Sequence, residues 1–532
     1  MYDVVIIGSG FGGSVMACRL ANAGRKVMVL ERGREWTPET YPRGHDDAWI
    51  WNQNRPEKQN GWIDLRMLDQ MWVAQGAGVG GGSLIYANVS IDADPSVFDE
   101  GWPSVINGTS LAPYYARVGK MLGTRCLPEK QWTERTKLMK ESAQAIGEGR
   151  RFRTVELAVT FDDDWHYGLP DAHNYARSKT WTNPHGKEQG TCIHCGYCDI
   201  GCPVKAKNTL DLNYLASARN AGAEIQPLSL VNFLSQTSDG KWRVHYDRLV
   251  DGRREPQQLD AREVIVAAGS LGSTELLLRC RDQYRTLPNL PSSLGVGWSS
   301  NGDFLTPAFY GDRKINPTVG PTISSAIDFL DGDHGYGKGR FFVEDGGFPN
   351  ILATYIDERL KSSSLFSVER RFLNKLKKGL AKNPLSNVMP WFGQAVDGGD
   401  GVLYLGRRWL KPWQKVIKLN WDPERSVPGV GGLVDMHKKL SKATGGKPAV
   451  PVTWTALKHL VTPHPLGGCN MAAAPSGGVV DDAGRVFGHK GLYVIDGAIV
   501  PRPIGLNPSK TIAALAERAA DLMLTGSEAA MS

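Results

Sequence analysis

The amino-acid sequence predicts an α/β protein in which a discontinuous, Rossmann-like dinucleotide-binding domain is joined to a second domain. Three observations predict it: a strand–turn–helix–strand unit at the N-terminus, and two further apolar strands, one in the middle of the chain and one near its end, that each run into a glycine turn. The stretches between them are rich in tryptophan, proline and glycine and have no regular strand–helix rhythm. We therefore expect the nucleotide domain to comprise residues 1–40, 204–310 and 456–532, and the second domain residues 41–203 and 311–455.

The N-terminal unit starts with an apolar run at residues 4–7 and continues into a helix predicted over residues 14–23 and a strand over residues 26–30, which ends in Glu31. The turn carries the glycines Gly8, Gly10 and Gly13. A tight turn, close approach of backbone N–H groups to a pyrophosphate, and close packing of helix on strand each favour glycine. An acidic residue about twenty positions on accepts hydrogen bonds from ribose hydroxyls. An ordinary glycine turn is the alternative, but this context favours a dinucleotide site.

A second glycine run, QGAGVGGGSLIY at residues 75–86, distinguishes between two dinucleotides. Its missing side chains let backbone amides lie against a flat ring or a second phosphate. Ordinary NAD dehydrogenases have no use for such a run. The sequence therefore favours FAD over NAD.

The middle and the end of the chain repeat the nucleotide-type pattern. Residues 262–270 form a buried strand that leads to a helix at 273–279, and residues 491–497 form a strand followed by an alanine-rich helix at 509–524. Strands of this kind at three separated places indicate that the nucleotide domain is discontinuous.

Six characteristic motifs lie at both ends and in the middle of the chain: GSGFGG with ERG at 31–33, GAGVGGGSLIY, VIVAAGSLGSTELL, HPLGGC at 464–469, GLYVIDGAIVP and NPSKTIAALAE. Together they resemble the glucose-methanol-choline (GMC) flavin oxidoreductases. Within that family the chain is most similar to the cholesterol oxidase branch, which GSLGSTELLLR and TLPNLPSSLGVGWSSNGD support. The resemblance implies an FAD-binding domain and a substrate domain whose β-sheet roofs the flavin.

The resemblance also implies a set of residues that contact FAD. They are Gly8, Gly10, Phe11, Gly12, Gly13, Glu31, Arg32, Gly76, Gly80, Gly81, Ser83, Ala268, Gly269, Asp496, Gly497 and Asn507.

Oxidation of an alcohol by a flavin needs a group that takes or shares the hydroxyl proton while hydride leaves carbon. An imidazole can do this near neutral pH. In the family, the histidine that matches His464 faces the reactive edge of the flavin, and Asn507 matches the asparagine that partners it. The alternative for His464, one of eleven histidines, is an ordinary loop histidine.

Glu344 matches, by resemblance over a short stretch, the carboxylate that moves a proton during steroid isomerisation. Its neighbours Phe341, Phe342 and Phe348 would disfavour the ionised form by desolvation, which suits a proton carrier. A surface glutamate beside a turn is the alternative.

Four cysteines, Cys192, Cys195, Cys198 and Cys202, precede Pro203 at the spacing of a ferredoxin-type iron–sulfur run. One 4Fe–4S cluster is the leading hypothesis, and the resemblance does not account for this segment. A four-thiolate zinc site, disulfides and free thiols are the alternatives. The other four cysteines, Cys18, Cys126, Cys280 and Cys469, are expected to be buried small apolar side chains.

Net charge of +7 and a pI near 8.8 give no indication of a nucleic-acid partner. No apolar stretch approaches the roughly 20 residues that cross a bilayer, and the first strand begins too early for a secretory signal peptide, so we expect a cytoplasmic protein. Residues 362–382 and 407–415 mix apolar and basic side chains. They suggest peripheral contact with an anionic membrane, and the alternative is an ordinary amphipathic helix with a solvated basic face.

The sequence therefore predicts FAD-dependent oxidation of a bulky apolar alcohol, sterol-like or lipid, to the carbonyl compound, with oxygen or a protein or quinone as electron acceptor. One alternative is a dehydrogenase for long-chain or terpenoid alcohols that passes electrons through an iron–sulfur cluster to an external acceptor. The other is a non-catalytic flavin electron-transfer or binding protein.

Overall fold

The computed structural model describes residues 1–44, 46–332, 334–336, 339–350, 385–408, 411–451, 454 and 458–526. The strands, in chain order, are β1 Tyr2–Ile7, β2 Val27–Leu30, β3 Ile63–Leu68, β4 Met71–Gly76, β5 Arg125–Cys126, β6 Phe152–Thr154, β7 Glu156–Leu157, β8 Thr180–Thr182, β9 Glu188–Gly190, β10 Glu224–Gln226, β11 Ser229–Gln236, β12 Trp242–Val250, β13 Arg253–Val266, β14 Val296–Trp298, β15 Phe304–Phe309, β16 Ser325–Phe329, β17 Phe341–Asp345, β18 Val388–Ala395, β19 Gly401–Arg408, β20 Lys411–Asn420, β21 Lys447–Pro448, β22 Leu460–Thr462 and β23 Leu492–Val494. The α-helices are α1 Phe11–Asn22, α2 Gly108–Leu122, α3 Glu134–Ala145, α4 Tyr214–Asn220, α5 Gly269–Leu278, α6 Val427–Ala443 and α7 Ser509–Thr525.

A seven-stranded sheet runs in the order β10-β2-β1-β13-β12-β11, with β23 also paired to β13. The strands β10, β2, β1, β13 and β23 are mutually parallel, whereas β12 and β11 are antiparallel to their neighbours. Val4, Val5 and Ile6 are fully buried at the centre of this sheet. An uninterrupted apolar run is what a parallel strand covered on both faces requires, so the predicted α/β fold is confirmed.

The observed elements differ from the predicted ones mainly at their starts. The helix α1 begins at Phe11 and α5 at Gly269, each within its glycine turn, because the apolar periodicity used for prediction starts only in the next helical turn. The strand β13 begins at Arg253, because its first half is an exposed, charged stretch that is strand only through its pairing with β12.

A second, antiparallel sheet runs in the order β21-β15-β18-β17-β16-β6. A core that includes Phe341, Val343, Trp391 and Leu433 joins this sheet to helices α6 and α3. Glu344 on β17 and Phe392 on β18 belong to this sheet, which thus contributes to the site described below. The limits of the two domains remain a prediction.

Three further observations concern the predicted surface and location. Cys126 is exposed, contrary to our expectation, because it lies on the short edge strand β5, whereas Cys18, Cys280 and Cys469 are buried. Within the described residues, none of the helices has the length and apolar character needed to cross a bilayer. The basic stretch 362–382 lies outside the described residues, as does part of 407–415, so membrane contact and cytoplasmic location remain predictions.

Candidate active site

A cavity of about 1120 Å³ extends from the start of α1 to His464. It is lined by fourteen of the residues singled out in the sequence: Gly8, Gly10, Phe11, Gly12, Glu31, Arg32, Gly76, Gly81, Ala268, Gly269, His464, Asp496, Gly497 and Asn507. Gly13, Gly80, Ser83, Glu344 and the four clustered cysteines are not among its lining residues. The structure thus brings together residues that are spread over the whole chain.

The start of α1 is built to receive an anion. No side chain caps the helix at Gly10, so its first backbone N–H groups are left for a ligand. A Cβ at Gly12 would lie 1.8 Å from the carbonyl oxygen of Ile495, so close packing requires glycine there. A Cβ at Gly10 would meet nothing within 4 Å, because this residue faces open space. An uncapped helix start beside open space fits a diphosphate.

Glu31 follows β2 and is held against the glycine turn. One carboxylate oxygen accepts from the backbone N–H of Ser9 at 3.1 Å and from its hydroxyl at 2.6 Å, and the other accepts from the N–H of Gly33 at 2.9 Å. The neighbouring Arg32 donates to Asp64 at 2.7 Å. These bonds fix a carboxylate in the cavity wall where ribose hydroxyls would bind.

The two glycine runs touch. A Cβ at Gly81 would lie 2.6 Å from the Cα of Gly10, and the N–H of Gly80 donates to the hydroxyl of Ser9 at 3.1 Å. The hydroxyl of Ser83 donates to the carbonyl of Gly80 at 2.7 Å. Ser83 and Gly80 therefore shape this wall from behind, and Gly76 and Gly81 face the cavity.

Asp496 joins the middle and the end of the chain. Its carboxylate accepts from the N–H of Gly269, at the start of α5, at 2.8 Å and from the N–H of Ala498 at 2.7 Å. Burial raises the pKa of Asp496, and the hydrogen bonds partly offset this. Ala268 and Gly497 line the cavity beside these contacts. The resulting long cleft, with glycine turns along one wall, fits the length and flat ring of FAD.

His464 and Asn507 line the other end of the cavity, and the carboxyl of Glu344 lies close to both without lining it. Glu344 is fully buried and accepts from the side-chain amide of Gln394 at 2.9 Å, so it is not the surface residue of the alternative interpretation. The other carboxylate oxygen of Glu344, Oδ1 of Asn507 and Oε1 of Gln394 are buried without a partner. Burial raises the pKa of Glu344 to about 7, although the Gln394 amide, the charge of His464 and the Asn507 amide oppose the shift.

His464 follows β22, and its ring nitrogen Nδ1 lies 2.8 Å from a carboxylate oxygen of Asp303. Asp303 and Gln394 are site residues that the sequence reasoning missed. Asp303 lies in the stretch TLPNLPSSLGVGWSSNGD that supports the family resemblance, but nothing in its local sequence marks it as a partner of a histidine 161 positions away.

The four clustered cysteines lie in a loop whose backbone is held from several sides. The ammonium group of Lys207, which is buried, donates to the carbonyls of Cys198 at 2.7 Å and of Leu84 and Tyr86 at 2.9 Å. The guanidinium of Arg43 donates to the loop carbonyls of residues 200 and 201. The loop is thereby joined to the second glycine run.

The thiols of this loop lie near one another. Burial, and then the neighbouring thiols, raise the pKa of Cys192 and of Cys195. None of the eight cysteines forms a disulfide. Among the residues that the structure describes, no three His, Cys, Asp or Glu side chains converge so as to hold a metal ion. This geometry does not support the zinc alternative, and it gives the iron–sulfur hypothesis no support of its own.

A glycine-lined cleft that ends at an imidazole and an amide, with a buried carboxyl close to both, is the arrangement expected of a flavin-dependent oxidoreductase. Residues 2–280 and 424–516 match the N-terminal and C-terminal models of the GMC oxidoreductase family. A cholesterol oxidase from Mycobacterium tuberculosis is 32% identical and covers 98% of this chain and 91% of that protein. A cholesterol oxidase from Acinetobacter baumannii is 30% identical, and the match covers 97% of this chain and 93% of that protein. The chain belongs to the GMC oxidoreductase family and is an FAD-dependent alcohol oxidoreductase.

More distant relatives agree with this family. A long-chain-alcohol oxidase from Arabidopsis thaliana is 23% identical and covers 98% of this chain and 67% of its own length. The solved structure of pyridoxine 4-oxidase from Mesorbium loti superposes with a TM-score of 0.63 at 17% identity, covering 99% of both chains. A fungal aryl-alcohol oxidase superposes with a TM-score of 0.57 at 16% identity. The two superpositions show that the fold is shared.

Proposed function

We propose that the protein oxidises a bulky apolar, sterol-like alcohol to its carbonyl compound, with His464, Asn507 and Glu344 at the reacting centre. The two cholesterol oxidases at 30% and 32% identity support a sterol-like substrate. The observation that carries the proposal is that His464 and Asn507 line one end of the cavity and both lie close enough to the buried carboxyl of Glu344 to act on its pKa. Oδ1 of Asn507 is buried there without a hydrogen-bond partner. Buried polar atoms without partners are costly, so one in a cavity wall is expected where a ligand binds.

Each of the three residues has a role that its chemistry allows. FAD, when bound, accepts the carbinol hydride at its N5 atom. His464 takes the hydroxyl proton of the alcohol. The side-chain amide N–H of Asn507 donates a hydrogen bond to the substrate oxygen, without any change of charge. Glu344, with a pKa near 7, can take a proton from a carbon next to the new carbonyl and return it to another carbon.

The proposal is tested by adding a sterol, a long-chain alcohol and a terpenol separately to the purified holoprotein under anaerobic conditions. We expect the sterol to bleach the oxidised flavin spectrum fastest. The variant His464→Asn should keep FAD and bleach on the order of 10²-fold more slowly. If the yellow spectrum persists with all three alcohols, the protein is a non-catalytic flavin protein and the proposal is wrong.

A second candidate, motivated by the spacing of the four cysteines in the sequence, is that electrons leave through an iron–sulfur cluster to an external acceptor instead of oxygen. Backbone N–H groups of residues 194 and 206 donate to the sulfur atoms of Cys192 at 3.4 Å and Cys202 at 3.3 Å. Asp199 and Ile200, from the same loop, line the cofactor cavity. If such a cluster were bound, Cys192, Cys195, Cys198 and Cys202 would hold it, and it would supply one-electron transfer from the flavin to the acceptor.

Metal and acid-labile sulfide analysis of anaerobically purified protein tests this candidate, together with an electron paramagnetic resonance spectrum after reduction. We expect iron and sulfide in equal amounts, which the variant Cys198→Ser lowers and the variant Cys126→Ser does not. Protein that contains flavin but no iron would eliminate the candidate and leave the alcohol oxidation itself untouched.

A further inference from the structure

Asp303 lies directly before β15 and is buried against His464. One carboxylate oxygen is 2.8 Å from Nδ1 of His464, and the other is 2.5 Å from the hydroxyl of Thr462. The backbone N–H of His464 donates to the same hydroxyl at 2.8 Å. Asp303, Thr462 and His464 therefore form a closed set of hydrogen bonds that fixes the position of the imidazole.

The hydrogen bond to Asp303 decides which ring nitrogen carries the proton. An ionised carboxylate only accepts hydrogen bonds, so Nδ1 of His464 must be the donor. Nε2 is then the nitrogen with a free lone pair, and it is the one left for the cavity that His464 lines. A base that takes a proton from an alcohol needs this tautomer.

Two carboxyl groups act on the pKa of His464: Asp303, directly before β15, and Glu344 on β17. Burial alone lowers the pKa of His464, but the carboxylate of Asp303, with a smaller contribution from Glu344 on β17, more than offsets it, and the pKa is raised above its ordinary value of 6.5. A buried imidazolium without such a partner would be strongly destabilised.

We propose that Asp303 is the positioning residue of the reaction: it holds His464 in the tautomer that accepts a proton and stabilises the imidazolium that results. This inference rests on the proposed alcohol oxidation. In the step concerned, the O–H bond of the alcohol breaks and an N–H bond forms at Nε2, while the carbinol hydrogen leaves with two electrons for FAD and the carbonyl forms. The charge that appears on His464 is neutralised locally by Asp303.

The variant Asp303→Asn keeps the size of the side chain and removes its charge. We expect the rate constant of anaerobic flavin reduction to fall on the order of 10²-fold, with substrate affinity changed by less than about threefold. Because the reaction needs neutral His464, the rate rises with pH through the pKa of this residue. Loss of the Asp303 charge lowers that pKa, so the rise should move to lower pH by about one unit or more.

A second readout does not depend on turnover. The ¹⁵N-histidine NMR signal of His464, assigned by its absence in His464→Asn, should titrate at lower pH by about one unit or more in Asp303→Asn. The matched control is Asp397→Asn, because Asp397 is also buried and accepts from the hydroxyls of Ser299 and Ser300. That variant is expected to lower stability and to leave both pH profiles in place.

The outcomes separate the two proposals. An unchanged NMR titration and an unmoved pH–rate profile in Asp303→Asn would overturn the role of Asp303, even if the rate falls. A wild-type flavin that no alcohol bleaches would overturn the proposed oxidation, while the NMR titration would still report how Asp303 acts on His464.

Discussion

At the residue scale, His464 lies near two buried carboxyl groups whose surroundings differ. Both oxygens of Asp303 are hydrogen-bonded, one to His464 and one to Thr462. Glu344 has one oxygen bonded to Gln394 and one without a partner, and burial raises its pKa to about 7. Local hydrogen bonding thus distinguishes a fixed acceptor from a group that can gain and lose a proton near neutral pH.

Glu344→Gln should separate oxidation from proton transfer between carbons. With a sterol whose double bond is not conjugated to the carbinol carbon, we expect the variant to oxidise within about tenfold of the wild-type rate but to release the unconjugated ketone. Product analysis by ultraviolet absorption and chromatography checks this. The control Glu517→Gln, which removes a buried carboxyl bonded to Arg19 and Tyr214, should leave the product mixture unchanged. Conjugated product from Glu344→Gln would remove Glu344 from the reaction.

The same variant should change how stability depends on pH. The folded protein binds the proton of Glu344 more tightly than the unfolded chain does, because its pKa is raised from 4.5 to about 7. This group therefore makes wild-type stability fall as pH rises from about 4.5 to about 7, and Glu344→Gln lacks that fall. The free energy of unfolding of the variant minus that of wild type should therefore be about 1–3 kcal/mol larger at about pH 8 than at about pH 4.5, measured from thermal midpoints. An equal difference at both pH values would contradict it.

At the scale of elements, the start of α1 combines two requirements on neighbouring glycines. Gly12 is fixed by the packing of α1 against the chain just after β23, where a Cβ would lie 1.8 Å from the carbonyl of Ile495. Gly10 lines the cavity, and a Cβ built there would meet nothing within 4 Å. One glycine is required by the packing of the helix, and the other faces the open space of the cavity.

This difference predicts opposite effects for two alanine variants. Gly10→Ala should leave the thermal midpoint of the apoprotein within about 2 °C and weaken FAD binding about tenfold or more, since its Cβ intrudes only on the ligand. Gly12→Ala should lower the apoprotein midpoint itself, because backbone must move. Scanning fluorimetry of the apo forms and flavin fluorescence titration check both. A destabilised Gly10→Ala apoprotein with normal FAD affinity would refute the assignment.

At the scale of the whole molecule, the cavity lies where several sheets meet. The seven-stranded sheet supplies the glycine turns, β4 and the second glycine run supply another wall, and the antiparallel sheet contributes Leu305 and Phe392. The ring of Phe392 lies 6.5 Å from that of His464. The residues of the candidate site therefore come from elements that only the complete fold brings together. Binding of the cofactor should accordingly stabilise the molecule as a whole.

FAD at about a hundred times its dissociation constant should add about 2.7 kcal/mol to the stability of the apoprotein, whereas NAD at the same concentration should add almost nothing. We expect this difference because residues of the second glycine run line the cavity, and on our proposal they hold the flat tricyclic ring of the flavin. Thermal unfolding of the apoprotein with each dinucleotide measures the difference. Equal stabilisation by NAD would mean that the cleft does not select the flavin.

The sequence by itself determined the α/β class, FAD as the cofactor and the family. Its signals were local: an apolar run, a glycine turn and an acid within about thirty residues form one βαβ unit whose shape follows from backbone sterics and strand burial. His464 was found only because a family motif surrounds it. The cysteine run was equally clear as a spacing, but spacing does not give the separation of four sulfur atoms in space.

Only the tertiary structure decided which partners the candidate site residues have. Asp303 meets His464 across 161 positions of chain, and Glu344 meets Gln394 across 50. The second contact depends on the register of β17 against β18, and the first joins the residue before β15 to the loop after β22, two elements that are not paired in one sheet. An alternation of apolar and polar residues fixes which face a side chain occupies but not which distant residue lies opposite it.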